Sequence, residues 1–318
     1  MKELRVMKKI KNSIKLIATG TYIPEKVLTN FDLEKMVDTS DEWIVQRTGI
    51  KRRHIAEGED TSDLATKAAI NALEKVKYDK NLIDLIIVAT FTPDYRSPGV
   101  SNLVQAKLGL SGNDITCFDI NSGCTGMIYA LEVASSLLNS GKYQHALVIG
   151  AEVMSKVIDF TDRNTCVLFG DGAGAFILEN SDTENAYFYT TSCGELDKTL
   201  YVDRYIHMDG KKVYQFATAA VEKAILKVLN DLNLTINDID KIIPHQANYR
   251  IIHSVAKSLN VALDKFFLNI DEYGNTSAAS IAIALDEYLK SREKVSLEKI
   301  LLVGFGSGFT YGAGLITL

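Results

Sequence analysis

With 318 residues, 47% of them hydrophobic, 24% charged and only four prolines, the chain holds apolar material for two ordinary domains or one large duplicated one, and lacks the composition of a disordered tail. No apolar stretch approaches the ~20 uncharged residues of a membrane span. The basic residues Lys2, Arg5, Lys8, Lys9, Lys11 and Lys15 lead only into Leu16-Ile17-Ala18, too short for a secretory signal, so a cytoplasmic location is expected, and a net charge of −5 argues against a general nucleic-acid binder while leaving room for local basic patches.

In chain order, the first strand is expected at Ile14 to Ala18, with Thr19-Gly20 and Pro24 marking a loop. Asn30 to Val37 reads as helix, and Ser40-Asp41-Glu42-Trp43-Ile44-Val45 as a second helix start, with a Ser or Asp cap and an acidic first turn. Thr61 to Lys77 is amphipathic, with Leu64, Ala68, Ala72 and Val76 along one face. Leu85 to Ala89 is a buried strand, and Val100, Leu103, Val104 and Leu108 define a helix closed by Gly109. Thr116 to Ile120 is a strand that runs into the turn Asn121-Ser122-Gly123-Cys124-Thr125-Gly126 and the apolar helix Met127 to Leu138. The strand Ala146 to Ile149 follows, then Gly170-Asp171-Gly172-Ala173-Gly174 feeding the strand Ala175 to Leu178.

After Asn180 the same order returns. The helix Thr218 to Leu232 and the strand Lys241 to Ile243 repeat the helix from Thr61 and the strand from Leu85. Ile251, Ile252, Val255 and Leu259 repeat the helix of Val100 to Leu108. The turn Tyr273-Gly274-Asn275-Thr276 with Ala278 to Leu285 repeats Ser122-Gly123-Cys124-Thr125 and its helix. Leu301 to Gly304 echoes Leu147 to Gly150, and Gly312-Ala313-Gly314 echoes Gly172-Ala173-Gly174. An ordered set of this length predicts a duplicated α/β unit, with halves at 1–180 and 181–318.

The duplication sets Cys124 and Asn275 in corresponding turns, each at the start of a buried helix. A thiol there meets unpaired N–H groups that favour thiolate and can hold an oxyanion; a small buried Cys filling a helix-start turn is the other reading of the same residues. His245, at the carboxyl end of the strand Lys241 to Ile243, is where α/β sheets present functional groups, although by itself it reads as a hydrogen-bonded core residue. The four cysteines, Cys117, Cys124, Cys166 and Cys193, show no C-x-x-C pairing and no His at metal-ligand spacing. No metal site is expected, and unpaired thiols fit a reducing compartment.

Three segments give the chain a specific resemblance. Asp119-Ile120-Asn121-Ser122-Gly123-Cys124, Pro244-His245-Gln246-Ala247-Asn248-Tyr249-Arg250-Ile251 and Tyr273-Gly274-Asn275-Thr276-Ser277-Ala278 resemble the catalytic signatures of β-ketoacyl-acyl-carrier-protein synthase III. Residues 40–50, 169–175 and 305–310 match the same family, so the likeness runs from about Ile14 to the end. It implies a thiolase-like α/β fold, whose duplicated halves pack with pseudo-twofold symmetry in α-β-α-β-α layers. It also implies the chain-initiating condensation of fatty-acid synthesis, joining an acyl-CoA to malonyl-acyl-carrier protein.

By that resemblance Cys124 is the nucleophile, and the backbone N–H groups of Cys124 and Ser307 form the oxyanion hole. His245 and Asn275 hydrogen-bond the enolate oxygen. Trp43, Arg47, Thr48 and Arg163 surround the CoA nucleotide, and Asn248 touches the pantetheine arm. Gln246 and Arg250 meet the carrier protein, with Lys257 and the run Lys51-Arg52-Arg53 as further cationic candidates, the run also reading as solvated surface. The family implies a homodimer and no metal or redox cofactor.

An amide at 275 cannot ionise and so cannot repel an enolate. The second Cys of thiolases and the basic Glu of hydroxymethylglutaryl-CoA synthases find no matching signature, the nearest acid in sequence being Glu272; decarboxylative chemistry is therefore favoured over proton abstraction. An acyltransferase or condensing enzyme of specialised metabolism is the alternative, and a non-catalytic acyl-CoA or carrier-protein module a third. Two departures bear on the primer. The segment from Glu195 to His207 is shorter than in many relatives, and Ser97 stands near a position where some carry a large apolar residue that closes the partner subunit's pocket. Room for longer or branched acyl groups is the expectation.

Overall fold

A computed structural model describes residues 12–194, 196–293 and 297–318, and two mixed β-sheets organise them. The first sheet contains β1 (Ile14–Tyr22), β2 (Leu85–Ala89), β3 (Thr116–Ile120), β4 (His145–Glu152) and β5 (Gly172–Asn180), in the order β1-β5-β4-β2-β3. β5 is antiparallel to β1 and β4, and β2 is parallel to β4 and β3. The second sheet repeats this pairing with β6 (Ala186–Ser192), β7 (Lys241–Pro244), β8 (Lys299–Gly306) and β9 (Thr310–Thr317), in the order β6-β9-β8-β7. Where β3 flanks β2, the second half has a single parallel bridge from Ile242 to Phe266, with the Phe267 N–H on the Ile242 carbonyl at 2.9 Å.

Among the described residues, seven helices of eight residues or more accompany the sheets: α1 (Asp41–Thr48), α2 (Thr61–Lys75), α3 (Val100–Lys107), α4 (Gly126–Asn139), α5 (Gly210–Leu232), α6 (Tyr249–Ser258) and α7 (Ser280–Ser291). Leu64, Ala68 and Val104 of α2 and α3 pack on Ile86, Val88 and Leu147, the outer face of the first sheet. Ile225 and Ile252 of α5 and α6 cover Ile242, Leu301 and Val303 of the second. α4 and α7 lie between the sheets, where Met127, Leu131, Ile281 and Leu285 meet Ile87 and Phe176 on one side and Ile243 and Leu302 on the other. That burial from two directions explains why their sequences are apolar nearly all round. The result is the five-layered, thiolase-like α/β architecture.

Several elements differ from the sequence reading. β6 was not expected, although Ala186-Tyr187-Phe188-Tyr189 alternates buried and half-buried residues of strand-forming types. α5 starts two turns before Thr218 because the Asp209 side chain accepts the Lys211 and Lys212 N–H groups at 3.1 Å. The helix expected at Asn30 to Val37 ends at Leu33. Of the run 51–53, Lys51 and Arg52 sit at the surface beside Asp271 and Glu272, but Arg53 is fully buried. Its guanidinium donates to the Leu28 and Val167 carbonyls and to Asn30 Oδ1, so it ties a surface ribbon (Lys26–Thr29 with Arg52–Ile55) to the segment leading to Gly170 and is not available to a partner.

The echo between the two turns also shifts register. α4 and α7 are each entered through a short 3₁₀ turn, Gly123–Thr125 and Ser277–Ala279. Gly123 and Ser277 both hold positive φ, 53° and 49°. In each turn an Asn side-chain oxygen two residues earlier accepts the N–H: Asn121 from Gly123 at 3.5 Å, and Asn275 from Ser277 at 2.9 Å. Asn275 therefore corresponds to Asn121, and Cys124 to Ala278, a shift of three residues from the sequence alignment. The aligned pattern of glycine and small residues admits either register; the Asx hydrogen bond selects one.

Candidate active site

Cys124 is the second residue of its 3₁₀ turn, so its N–H is one of the helix-start amides with no carbonyl a turn earlier. Gly306, at the end of β8, packs directly on it: a Cβ there would fall 2.7 Å from Cys124 N. A Cβ on Gly123 would fall 2.4 Å from Ser307 Oγ and 3.2 Å from Ser307 N. The absence of a side chain at these two glycines thus lets the Cys124 turn and the Gly306-Ser307 backbone close on each other, as an oxyanion site built from both amides would need.

The thiol is not poised as thiolate. Burial pushes Cys124 up to about 12, the Ser277 hydroxyl opposes the rise and the Glu152 carboxylate adds to it. The helix-start position, from which a lowered value was expected, is outweighed by desolvation.

His245 leaves the end of β7 with its N–H on the Val303 carbonyl at 2.8 Å. Its ring is buried, stands edge-on to Phe305 with centroids 5.4 Å apart, and is held by burial at about 3, an uncharged imidazole at neutral pH. Nδ1 lies 2.6 Å from Ser280 Oγ, while Nε2 has no hydrogen-bond partner. Ser280 Oγ also accepts the Gln246 N–H at 3.4 Å and keeps its own proton for donation. In the tautomer in which that proton goes to Nδ1, the ring proton sits on Nε2 and makes it a donor. Asn275 is fixed by its backbone, with N–H to the Leu168 carbonyl at 2.8 Å and C=O from Gly170 N–H at 3.1 Å. Its Oδ1 is taken by Ser277, so the Nδ2 protons are the free end of the amide.

Cys124, His245 and Asn275 line one cavity of about 260 Å³, together with Ser307 and Gly306. Phe91, Met154, Leu168 and Phe169 close one wall and Val213 and Phe305 another. The segment described from residue 196 forms an antiparallel hairpin, Leu200–Val202 with Ile206–Met208, whose Leu200, Val202, Ile206 and Met208 complete the apolar lining; Glu195 lies outside the described residues. Ser97 is exposed and does not line this cavity.

Trp43, Arg47, Thr48 and Asn248 also line this cavity, Arg47 exposed and Thr48 buried. The Arg163 guanidinium stacks 4.5 Å from the Trp43 ring centre and donates to the Asp38 carbonyl at 2.8 Å, and Arg47 lies 5.9 Å from the same ring. Asn248 caps α6 by accepting the Arg250 N–H at 2.8 Å, and its Nδ2 donates to the Arg47 carbonyl at 3.1 Å. An adjoining depression, which shares Arg47, Tyr214 and Asn248 with the cavity, is lined also by Lys211 and Arg250, a cationic patch on an acidic chain.

Residues 118–195 match the family model of 3-oxoacyl-[acyl-carrier-protein] synthase III, and residues 229–318 match the model of its C-terminal part. The β-ketoacyl-[acyl-carrier-protein] synthase III of Acholeplasma laidlawii is 52% identical over 307 residues, covering 96% of this chain and 98% of its own. The chain belongs to this family. Among solved structures, the 3-oxoacyl-[acyl-carrier-protein] synthase III of Aquifex aeolicus superposes with a TM-score of 0.93 at 45% identity, over 96% of this chain and all of that one. The priming β-ketosynthase of the R1128 polyketide pathway superposes with 0.91 at 32% identity, over 99% and 98%.

Within this synthase III chain, two residues do not sit where the sequence reading put them to use. Gln246 is 1% exposed, donates to the Pro244 and Phe267 carbonyls and accepts the Asn269 N–H; its side chain is committed to the core and cannot meet a carrier protein, unlike exposed Arg250 and Lys257. Thr48 lines the cavity, but its hydroxyl donates to the Ile44 carbonyl and accepts the Ile50 N–H and is committed to its own helix end.

The acid nearest Cys124 is another that sequence reasoning missed. Glu272, nearest to Asn275 in sequence, lies against Arg52 and His54. Glu152, fully buried at the end of β4, reaches Ser277 Oγ, which in turn contacts Cys124 Sγ. Burial raises its carboxyl to about 7 against the hydrogen bonds from Thr92 and Thr90. The sequence signal was an acid ending an otherwise apolar strand, Ala146-Leu147-Val148-Ile149-Gly150-Ala151-Glu152.

Proposed function

We propose that the protein condenses an acyl-CoA primer with malonyl-acyl-carrier protein, initiating fatty-acid synthesis through an acyl-Cys124 intermediate. The observation that carries this reading is the convergence of Cys124, His245 and Asn275 on one apolar cavity with an adjoining cationic patch. Cys124 Sγ attacks the thioester carbonyl, the Cys124 and Ser307 amides hold the oxyanion, and CoA departs. Malonyl-carrier protein then enters and loses carbon dioxide. His245 Nε2–H and Asn275 Nδ2–H stabilise the enolate oxygen, and its carbon attacks the acyl-Cys124 to give a 3-oxoacyl-carrier protein. An uncharged donor pair suits this step, because neither group can be drawn into protonating the carbanion.

Trp43, Arg47 and Arg163 bind the CoA nucleotide by stacking and phosphate pairing, and Asn248 meets the pantetheine arm. Arg250 and Lys257 receive the acidic carrier protein. A homodimer is part of the proposal: β3 is the open edge of the first sheet, with half-buried Cys117, Phe118 and Ile120. Among the described residues no helix is long and apolar enough to cross a membrane, and a cytoplasmic site of action is proposed. No metal or redox cofactor enters the scheme.

Intact-mass analysis after incubation with a mixture of acetyl-, isobutyryl- and octanoyl-CoA tests it. One acyl adduct on the native chain and none on Cys124→Ala is expected; an adduct on the variant overturns the nucleophile. Uptake of the branched or longer primer supports the roomier pocket, and a clear acetyl preference removes it. The likeness to a polyketide priming ketosynthase keeps a second reading, primer loading for specialised metabolism, which is favoured if malonyl-fatty-acid carrier protein fails as acceptor.

A further inference from the structure

The mechanism above leaves one proton without a destination. Cys124 is buried as a thiol, and His245, in the Nε2-protonated tautomer that the enolate step requires, has Ser280 on Nδ1 and no lone pair to receive the thiol proton. A second polar chain leads away from the sulfur. Ser277 Oγ lies 3.4 Å from Cys124 Sγ and 3.3 Å from Glu152 Oε1. The two oxygens of Glu152 are unequal. Oε2 receives the Thr90 hydroxyl at 3.0 Å, the Thr92 N–H at 3.1 Å and the Thr92 hydroxyl, and these Thr oxygens themselves accept the Thr92 and Val153 N–H groups. Oε2 is thus the oxygen crowded by three donors. Oε1 has only the Phe91 N–H at 3.3 Å and the Ser277 hydroxyl, so it is the oxygen that can be protonated, and it faces Ser277.

We propose that Ser277 and Glu152 form a proton relay that accepts the Cys124 thiol proton during acylation. The Cys124 S–H proton passes to Ser277 Oγ while the Ser277 proton passes to Glu152 Oε1. Sγ forms its bond to the thioester carbon, the carbon–sulfur bond to CoA breaks, and the same path returns the proton to the departing CoA sulfur. The dry site carries one negative charge before and after the transfer, on carboxylate or on sulfur, and never the two together. Of the titratable side chains described, Cys124, Glu152 and His245 meet at this end; Asp171 is turned onto Ser155 and the Ala56 N–H instead.

The backbone at Ser277 supports an assigned task. Its φ of 49° lies in the left-handed region that L-residues rarely adopt, and the corresponding residue of the other turn is Gly123. A serine stands there, and its hydroxyl reaches both Cys124 and Glu152.

The proposal rests on Cys124 as nucleophile, and its test separates the two. Single-turnover acylation by acetyl-CoA and alkylation by iodoacetamide are followed by mass on the full chain across a pH series. The variants are Ser277→Ala, Ser277→Gly, Glu152→Gln and Glu152→Asp. Loss of the relay is expected to slow acylation at neutral pH by about 10²-fold or more. The variants' rates then climb with pH as hydroxide substitutes for the relay, while the half-saturating acetyl-CoA concentration stays put and Glu152→Asp recovers part of the rate. Native acylation rates and pH profile in both Ser277→Ala and Glu152→Gln overturn the relay. Failure of the native chain to acylate, with alkylation intact, overturns instead the reading of function.

Discussion

The two 3₁₀ turns at the centre of the molecule are built alike and used differently. Each is entered from an Asx hydrogen bond, passes one residue at positive φ and feeds a helix buried between the sheets. In the first, the left-handed residue is Gly123, stripped of side chain so that Ser307 can close on it, and the next residue is the thiol. In the second, the left-handed residue is Ser277, the next is Ala278, and the chemistry sits to either side: Asn275 before, Ser280 after. The scaffold occurs twice. In the proposed reaction the uses divide, the first turn taking the acyl group and the second furnishing the amide, the hydroxyls and, through Ser280, the orientation of His245.

The division is broken most completely at Cys124. Cys124→Ala leaves the second turn intact and is expected to abolish the acyl adduct by intact mass. Changing the second turn should do something different. His245→Ala or Asn275→Ala is expected to lower condensation by about 10²–10³-fold while acyl transfer from CoA falls far less; radiolabelled condensation assays set beside acyl-enzyme formation read the two separately. Equal loss of both half-reactions would erase the distinction between the turns.

A pH-dependent prediction sharpens it further. Glu152 has a folded value of about 7 against an ordinary 4.5, so its ionisation costs stability that grows as pH rises from about 4.5 to 7 and is constant above. Glu152→Gln removes that cost. The variant is expected to melt higher than native protein above pH 7, by an amount equivalent to about 3 kcal/mol at most, with the gap closing toward pH 4.5. His245 acts with the opposite sign. Its folded value is near 3 against an ordinary 6.5, so stability is lost as pH falls through that window. Thermal melts across pH 4 to 9 on native protein, Glu152→Gln and His245→Gln resolve the two contributions.

Much of this was legible beforehand, and unevenly. Periodicity located the strand Leu85–Ala89 to the residue, because a strand buried on both faces is a plain apolar run bounded by turns; the edge strand Thr116–Ile120, only half-buried, was placed by the glycine turn that follows it. The three motif residues were found by resemblance, and the fold brings them together. What failed was whatever depends on where a side chain ends. Arg53 and Gln246 look like surface polar residues in sequence, yet each finds carbonyl partners in the interior. The Cys124 titration was expected to fall because helix-start amides are visible in sequence and desolvation is not. Glu152 stayed unnoticed because its role depends on a hydroxyl 125 residues away, a proximity that no spacing rule encodes.

The smallest effect is the most discriminating about the turns themselves. Ser277→Ala and Ser277→Gly both remove the hydroxyl and should acylate equally slowly, so their difference isolates the backbone. Glycine relieves a left-handed φ worth ~1–2 kcal/mol and gives back ~0.5–1 in unfolded-state entropy, so Ser277→Gly should be more stable than Ser277→Ala by about 1 kcal/mol in urea unfolding. The mirror experiment, Gly123→Ala, should cost more than that, since its Cβ meets both a positive φ and Ser307 Oγ at 2.4 Å. If instead alanine matched glycine at 277, the serine would owe its place to backbone tolerance, and the asymmetry between the turns would reduce to the thiol alone.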